Sequence, residues 1–170
     1  TCTVAPPSNK AFVVAYPMRT KGEAGIALQK ACRDIGVPNN LHMDNAAEQM
    51  GPNTVFQQTC RDNKINTSST EPHSPWQNAC ENIIGIIKKR AKGRRVRRRI
   101  PKCLWDFGIV WECEIYSRTA NKHGRTGLEV ITGDTIDISE WVDFEFYDLI
   151  KYWDTQDDDD KASVGRWLGV

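Results

Sequence analysis

Two carboxylates and a run of bases are the residues of this chain whose types and spacing could do chemistry. Asp44 ends the segment Leu41-His42-Met43-Asp44, where apolar and polar residues alternate as in a short strand that turns His42 and Asp44 to one face. Glu81 lies in a helical stretch predicted from Gln77 to about Arg99. At about 100° of rotation per residue, Gly85, Lys88 and Lys92 fall within roughly 40° of Glu81, while Cys80, Ile83, Ile84, Ile87 and Ala91 gather on another sector. One side of this helix is core; another carries an acid and lysines. Taken alone, a carboxylate flanked by lysines is an ordinary surface salt-bridge stripe. Carboxylate oxygens are also the ligands that Mg²⁺ prefers, and because Mg²⁺ keeps several waters, few of them suffice.

The stretch KKRAKGRRVRRR at 88–99 packs nine Lys or Arg into twelve positions, and four Asp run from Asp157 to Asp160, so the net charge of +1 conceals a strong separation of sign. Three readings fit the basic run: a surface for the DNA backbone, a nuclear-import signal, or a solvated helix end. The first two are compatible. The acidic run reads most simply as a solvated loop or linker.

Other elements must position these groups. Ala11 to Tyr16, closed by Pro17, has the β-branched and aromatic texture of a buried strand. A capping box of Thr20 and Glu23 opens a helix with Ala24, Ala27, Leu28, Ala31 and Ile35 on one side, ended by Gly36 and Pro38. Residues 53–64 are predicted to be helical, and Asn66 to Gln77, rich in Ser, Thr and Pro, reads as a loop. Beyond Pro101 a helix is predicted from Cys103 to Ala120, with Leu104, Phe107, Trp111 and Ile115 on one stripe. After Asn121 come turns, and then Val142, Phe144 and Phe146 alternate with acids as in a strand of a second, small β-rich unit.

LHMDNAAEQ at 41–49 followed by EPHSPWQNACEN at 71–82 resembles the catalytic core of integrases from long-terminal-repeat retrotransposons, copia-like ones in particular. That family has an Asp-Asn at a strand end, about 35 residues, a P-x-S-P-x-Q-N loop and then a Glu on a helix. Here 36 residues separate Asp44 from Glu81. YPMRTKGEAG at 16–25, GVP at 36–38, LWDFG at 104–108, GRTGLEVITGDTIDIS at 124–139 and GRWLGV at 165–170 extend the resemblance over nearly the whole chain.

The resemblance implies a ribonuclease-H-like α/β core, a mixed sheet flanked by helices, over residues 1–121, and a post-core segment with part of a β-rich unit over 122–170. It implies Mg²⁺- or Mn²⁺-dependent DNA integration: 3′-end processing, then strand transfer of element DNA into target DNA. Asp44 and Glu81 would be two of three metal-binding catalytic carboxylates, converging at one end of the sheet. Two ions about 3.5–4 Å apart would activate the attacking oxygen and stabilise the leaving one. Gln77 and Lys88 would contact DNA, with Lys89, Lys92, Arg94, Arg95, Arg97 and Arg98 adding attraction to the backbone. The family's first catalytic Asp lies upstream of a strand that Cys2 to Val4 resembles. The chain is therefore expected to lack its first core strand and to be inactive by itself; Asp34, near the end of a helix, is not a substitute.

Partners implied are DNA and further copies of the intact enzyme, in the nucleus, with no membrane. No apolar run reaches the roughly 20 residues a membrane span needs, and six scattered cysteines without a C-x-x-C pair suit reduced thiols better than disulfides or zinc. His42 is read as a packed or hydrogen-bonded residue, His73 as part of a loop, and Glu48 stays open between a supporting role and a helix start. Two rival classes are a non-catalytic DNA-binding relic and a basic nuclear interaction module.

Overall fold

The run of Phe12, Val13 and Val14 forms a strand because β-branched and aromatic side chains suit a pleated, covered surface, and all of Ala11–Val13 is buried. The computed structural model describes residues 2–4, 11–43, 46, 49, 51–69, 79–120, 124–135, 137–153 and 162–169. Its elements in chain order are β1 (Cys2–Val4), β2 (Phe12–Val14), α1 (Ala24–Ile35), β3 (Asn40–Met43), α2 (Val55–Asp62), β4 (Asn66–Ser69), α3 (Ala79–Arg97), α4 (Trp105–Arg118), α5 (Gly127–Thr132), α6 (Ser139–Val142), β5 (Leu149–Trp153) and β6 (Ala162–Arg166). Short 3₁₀ turns at Lys21–Glu23 and Lys102–Leu104 lead into α1 and α4. No helix among the described residues is long and apolar enough to cross a membrane.

The chain divides into two compact units, one of residues 1–2 and 16–85, the other of residues 3–15 and 86–170. The core of the first is Leu28, Met43, Phe56, Cys60 and Ile65, with Ala24, Cys32 and Leu41 against it. Here β3 and β4 pair in parallel, Leu41 opposite Thr67 and His42 opposite Ser68. Parallel partners need a crossover, and α2 supplies it. Thr54 caps α2 by accepting the Gln57 N–H at 3.3 Å. Gly25 permits the close approach of α1 to α2: a Cβ there would lie 2.6 Å from the Phe56 nitrogen.

The second unit packs α4 on β2. Buried Ser117 accepts the Val13 N–H at 2.8 Å and donates to the Val13 carbonyl at 2.9 Å, so one hydroxyl satisfies both backbone groups of a core residue. Farther on, Ile100, Trp111 and Phe146 form an aromatic core with Trp141, Tyr147 and Trp167 around it. The Trp111 ring lies 5.2 Å from that of Trp141 and 6.1 Å from that of Phe146. β5 and β6 pair antiparallel, Lys151 opposite Val164.

Several expectations change. The helix predicted after Thr20 does form, but not on a capping box. The Thr20 hydroxyl does not cap a backbone N–H, a 3₁₀ turn intervenes, and Glu23 reaches back to the Arg19 N–H at 3.0 Å. The first residues of the predicted loop after Asn66 are strand β4, all four side chains exposed, because ladder bonds to β3 outweigh weak strand propensity. The strand predicted around Val142 to Phe146 is α6 and a turn. Asp137 there accepts the Ser139 N–H at 2.9 Å and Asp148 accepts the Glu145 N–H at 2.8 Å, local bonds that compete with a ladder. The turns predicted around residues 124–135 contain helix α5, with a complete capping box: Glu129 N–H to Thr126 Oγ1 at 3.1 Å and Thr126 N–H to Glu129 Oε2 at 2.7 Å. Phe107 is exposed, and the buried side of α4 is Trp111, Glu112, Cys113 and Ser117. The described strands form three two-stranded sheets, not the one central sheet expected. Asp157 to Asp160 lies outside the described residues.

Candidate active site and basic helix

Glu81 stands in the first turn of α3, exposed, and its carboxylate makes no hydrogen bond or ion pair with the described residues. The sequence-predicted rotation of α3 is the one observed. Ile87 is buried, Cys80, Ile83, Ile84 and Ala91 are half-buried, and Glu81, Gly85, Lys88 and Lys92 are exposed. A free, exposed carboxylate is chemically suited to Mg²⁺. Asp44 and Gln77 lie outside the described residues, as do His73 and Glu48, so the expected convergence of Asp44 with Glu81 falls there too. No group of three or more His, Cys, Asp or Glu among the described residues is arranged to hold a metal ion.

His42 is exposed, and its Nδ1 lies 2.9 Å from Ser68 Oγ across the β3–β4 ladder. Asp34 is engaged by Arg33 at 3.0 Å and by the Tyr16 hydroxyl at 3.3 Å. Burial pushes the Cys113 thiol up to about 11, so it is no thiolate nucleophile near neutrality.

The basic run divides into two populations. Lys88, Lys89, Lys92 and Arg97 are exposed and Arg95 half-exposed, and none makes an ion pair with the described residues. Arg94 and Arg98 turn inward. Arg94 Nε meets Glu112 Oε1 at 2.7 Å and its Nη1 meets Glu145 Oε2 at 3.2 Å; Arg98 pairs with Glu145 and Asp148. The Asp148 carboxyl is held below the usual range, first by the Glu145 backbone N–H and then, against the cost of burial, by Arg98.

This network was not legible in the sequence, since Arg94 and Glu145 are 51 residues apart and no periodicity links them. A faint signal was Glu112, an acid between Trp111 and Cys113 where a helix must bury a side. All three are buried.

No protein-family model and no curated protein matches the chain. Among solved structures it is similar to a chain of the cryo-EM structure of the simian T-cell lymphotropic virus intasome in complex with PP2A regulatory subunit B56 gamma. The two share 18% sequence identity at a TM-score of 0.58, over 71% of this chain and 43% of that one. The similarity spans less than half of the intasome chain, and what it establishes is an integrase-like fold.

Proposed function

We propose that this chain is part of a copia-like retrotransposon integrase, a ribonuclease-H-like core over residues 1–121 with a post-core segment over 122–170, and that its parent enzyme joins element DNA to target DNA. The supporting observation is the coincidence of two independent signals. The D-N…P-x-S-P-x-Q-N…E motif series ends on Glu81, and the fold is similar to that of an intasome chain.

In this reading Asp44 and Glu81 hold the metal, and a third carboxylate is not assigned to any of these residues. Bound Mg²⁺ or Mn²⁺ supplies activation of the attacking oxygen and stabilisation of the leaving one. Gln77, Lys88, Lys89, Lys92, Arg95 and Arg97 hold the DNA backbone. Arg94 and Arg98 contribute less, because their charge is matched within the protein. Further copies of the chain and a nuclear site of action complete the reading.

The test is strand transfer on a duplex mimicking the element's end, with Mg²⁺ or Mn²⁺. The parent enzyme should be active and lose activity in Asp44→Asn or Glu81→Gln. A parent protein that binds duplex DNA but is inactive in either metal would identify a DNA-binding relic instead.

A further inference from the structure

Between α3 and the start of α4 the surface sinks into a groove of about 190 Å³. One wall is α3, where Lys88, Ala91, Lys92 and Arg95 are spaced as one helical face and Arg94 also lines the groove. Opposite stand Trp105 and Gly108 of α4, and Phe146 contributes to the lining. The small residues Ala91 and Gly108 make the recess by leaving space where larger side chains would meet.

Three features identify what fits. The volume is below the roughly 300–1,000 Å³ of pockets that enclose small ligands, so the recess suits one or two side chains of a larger partner. Trp105 is 67% exposed, a large apolar side chain left in water at the lip of the groove, and Trp is among the residues that anchor interfaces. Lys88, Lys92 and Arg95 make no ion pair with the described residues, while neighbouring Arg94 is neutralised by Glu112 and Glu145. An apolar recess beside cations that have no ion-pair partner among the described residues is complementary to an apolar ridge with an acidic flank.

We infer that this groove docks an amphipathic helix of a protein partner, its aliphatic or aromatic ridge against Trp105 and Phe146 and its Asp or Glu flank over Lys88, Lys92 and Arg95. A helix laid in a groove between two helices is a common recognition mode. A duplex backbone would use the cations and leave the apolar recess wet. Because Lys88 and Lys92 serve both, the helix and duplex DNA compete for this surface, although the docking does not depend on the integrase reading.

The test uses the whole chain and fluorescein-labelled peptides of about 18 residues, long enough to form a helix. One carries Leu at helical i, i+3, i+4, i+7 spacing with Glu beside the stripe; one has the same composition scrambled; one has Lys for Glu. Oligo-dT is the fourth probe and a labelled DNA duplex the fifth. The acidic amphipathic peptide should bind at least about tenfold tighter than the scrambled and Lys peptides, and lose about tenfold or more in Trp105→Ala and in Gly108→Leu. Gly108→Leu keeps the fold testable: the added Cβ lies 3.7 Å from Phe146, an ordinary contact, and helix propensity rises. Lys88→Glu with Arg95→Glu should reverse the preference toward the Lys peptide. Equal binding of the scrambled peptide, no binding of any peptide, or indifference to Gly108→Leu overturns the proposal. Tighter binding of oligo-dT with the same sensitivity to Trp105→Ala and Gly108→Leu overturns it in favour of a single-strand groove. Duplex binding that survives Gly108→Leu while peptide binding is lost separates this proposal from the DNA reading.

Discussion

Arg94 Nε on α3 lies 2.7 Å from Oε1 of Glu112 on α4, in a pair whose arginine side chain is 19% exposed and whose glutamate is 2% exposed. Glu112 is thus a carboxylate in the interior with a guanidinium as its charge partner, and Arg94 carries a second bond to Glu145 at 3.2 Å. Removing one partner leaves a buried charge uncompensated. Arg94→Ala is expected to cost about 3–5 kcal/mol in urea unfolding, whereas Arg94→Met with Glu112→Leu should cost far less or nothing. A double mutant as unstable as Arg94→Ala would show that packing, not charge, dominates at this point.

Ser117→Ala should be disproportionately costly for the loss of one oxygen. It leaves the buried Val13 N–H and carbonyl without their partner at 2.8 and 2.9 Å, and each unsatisfied group costs about 1–3 kcal/mol. Ser117→Thr keeps the hydroxyl and should recover part of the loss. Chemical denaturation of the two variants makes the comparison, and equal stability of Ser117→Ala and the parent chain would refute the clamp.

Asp148 gives a pH signature. Its folded carboxyl titrates below the unfolded value of about 3.9, so its contribution is complete above about pH 5 and fades as pH falls through the folded value. The difference in melting temperature between the parent chain and Asp148→Asn should be constant from about pH 5 to 7 and shrink toward pH 3. A gap that widens in acid contradicts the assignment.

If Lys88, Lys89 and Lys92 contact phosphates, the salt dependence of duplex binding should change with their number. Log affinity falls against log salt at about −0.9 per phosphate neutralised, so replacing all three by Gln should flatten the slope by up to roughly three units. Arg94→Gln should move it little, since that charge is already matched by Glu112. Fluorescence anisotropy from about 50 to 200 mM salt measures both. An unchanged slope in the triple mutant, with its circular dichroism intact, returns the segment to a solvated helix end.

What the amino-acid order decided by itself is what neighbouring residues can settle. The rotation of α3, with Ile87 inside and Glu81, Lys88 and Lys92 outside, follows from 3.6-residue periodicity, as does the covered face of α1 at Leu28 and Ala31. The capping box of Thr126 and Glu129 with Gly133 after it is equally local, although it sits among the Gly, Thr and Asp residues that also make turns. Tertiary structure decided the rest. Asn66–Ser69 became a strand because β3 offered a ladder, and Phe146 became core in a turn because Ile100 and Trp111 surround it. Arg94 and Arg98 left the solvated run because Glu112, Glu145 and Asp148, distant in sequence, came within bonding reach. Charge partners and ladder partners are supplied by folding the chain onto itself, and no local spacing encodes which distant residue will arrive.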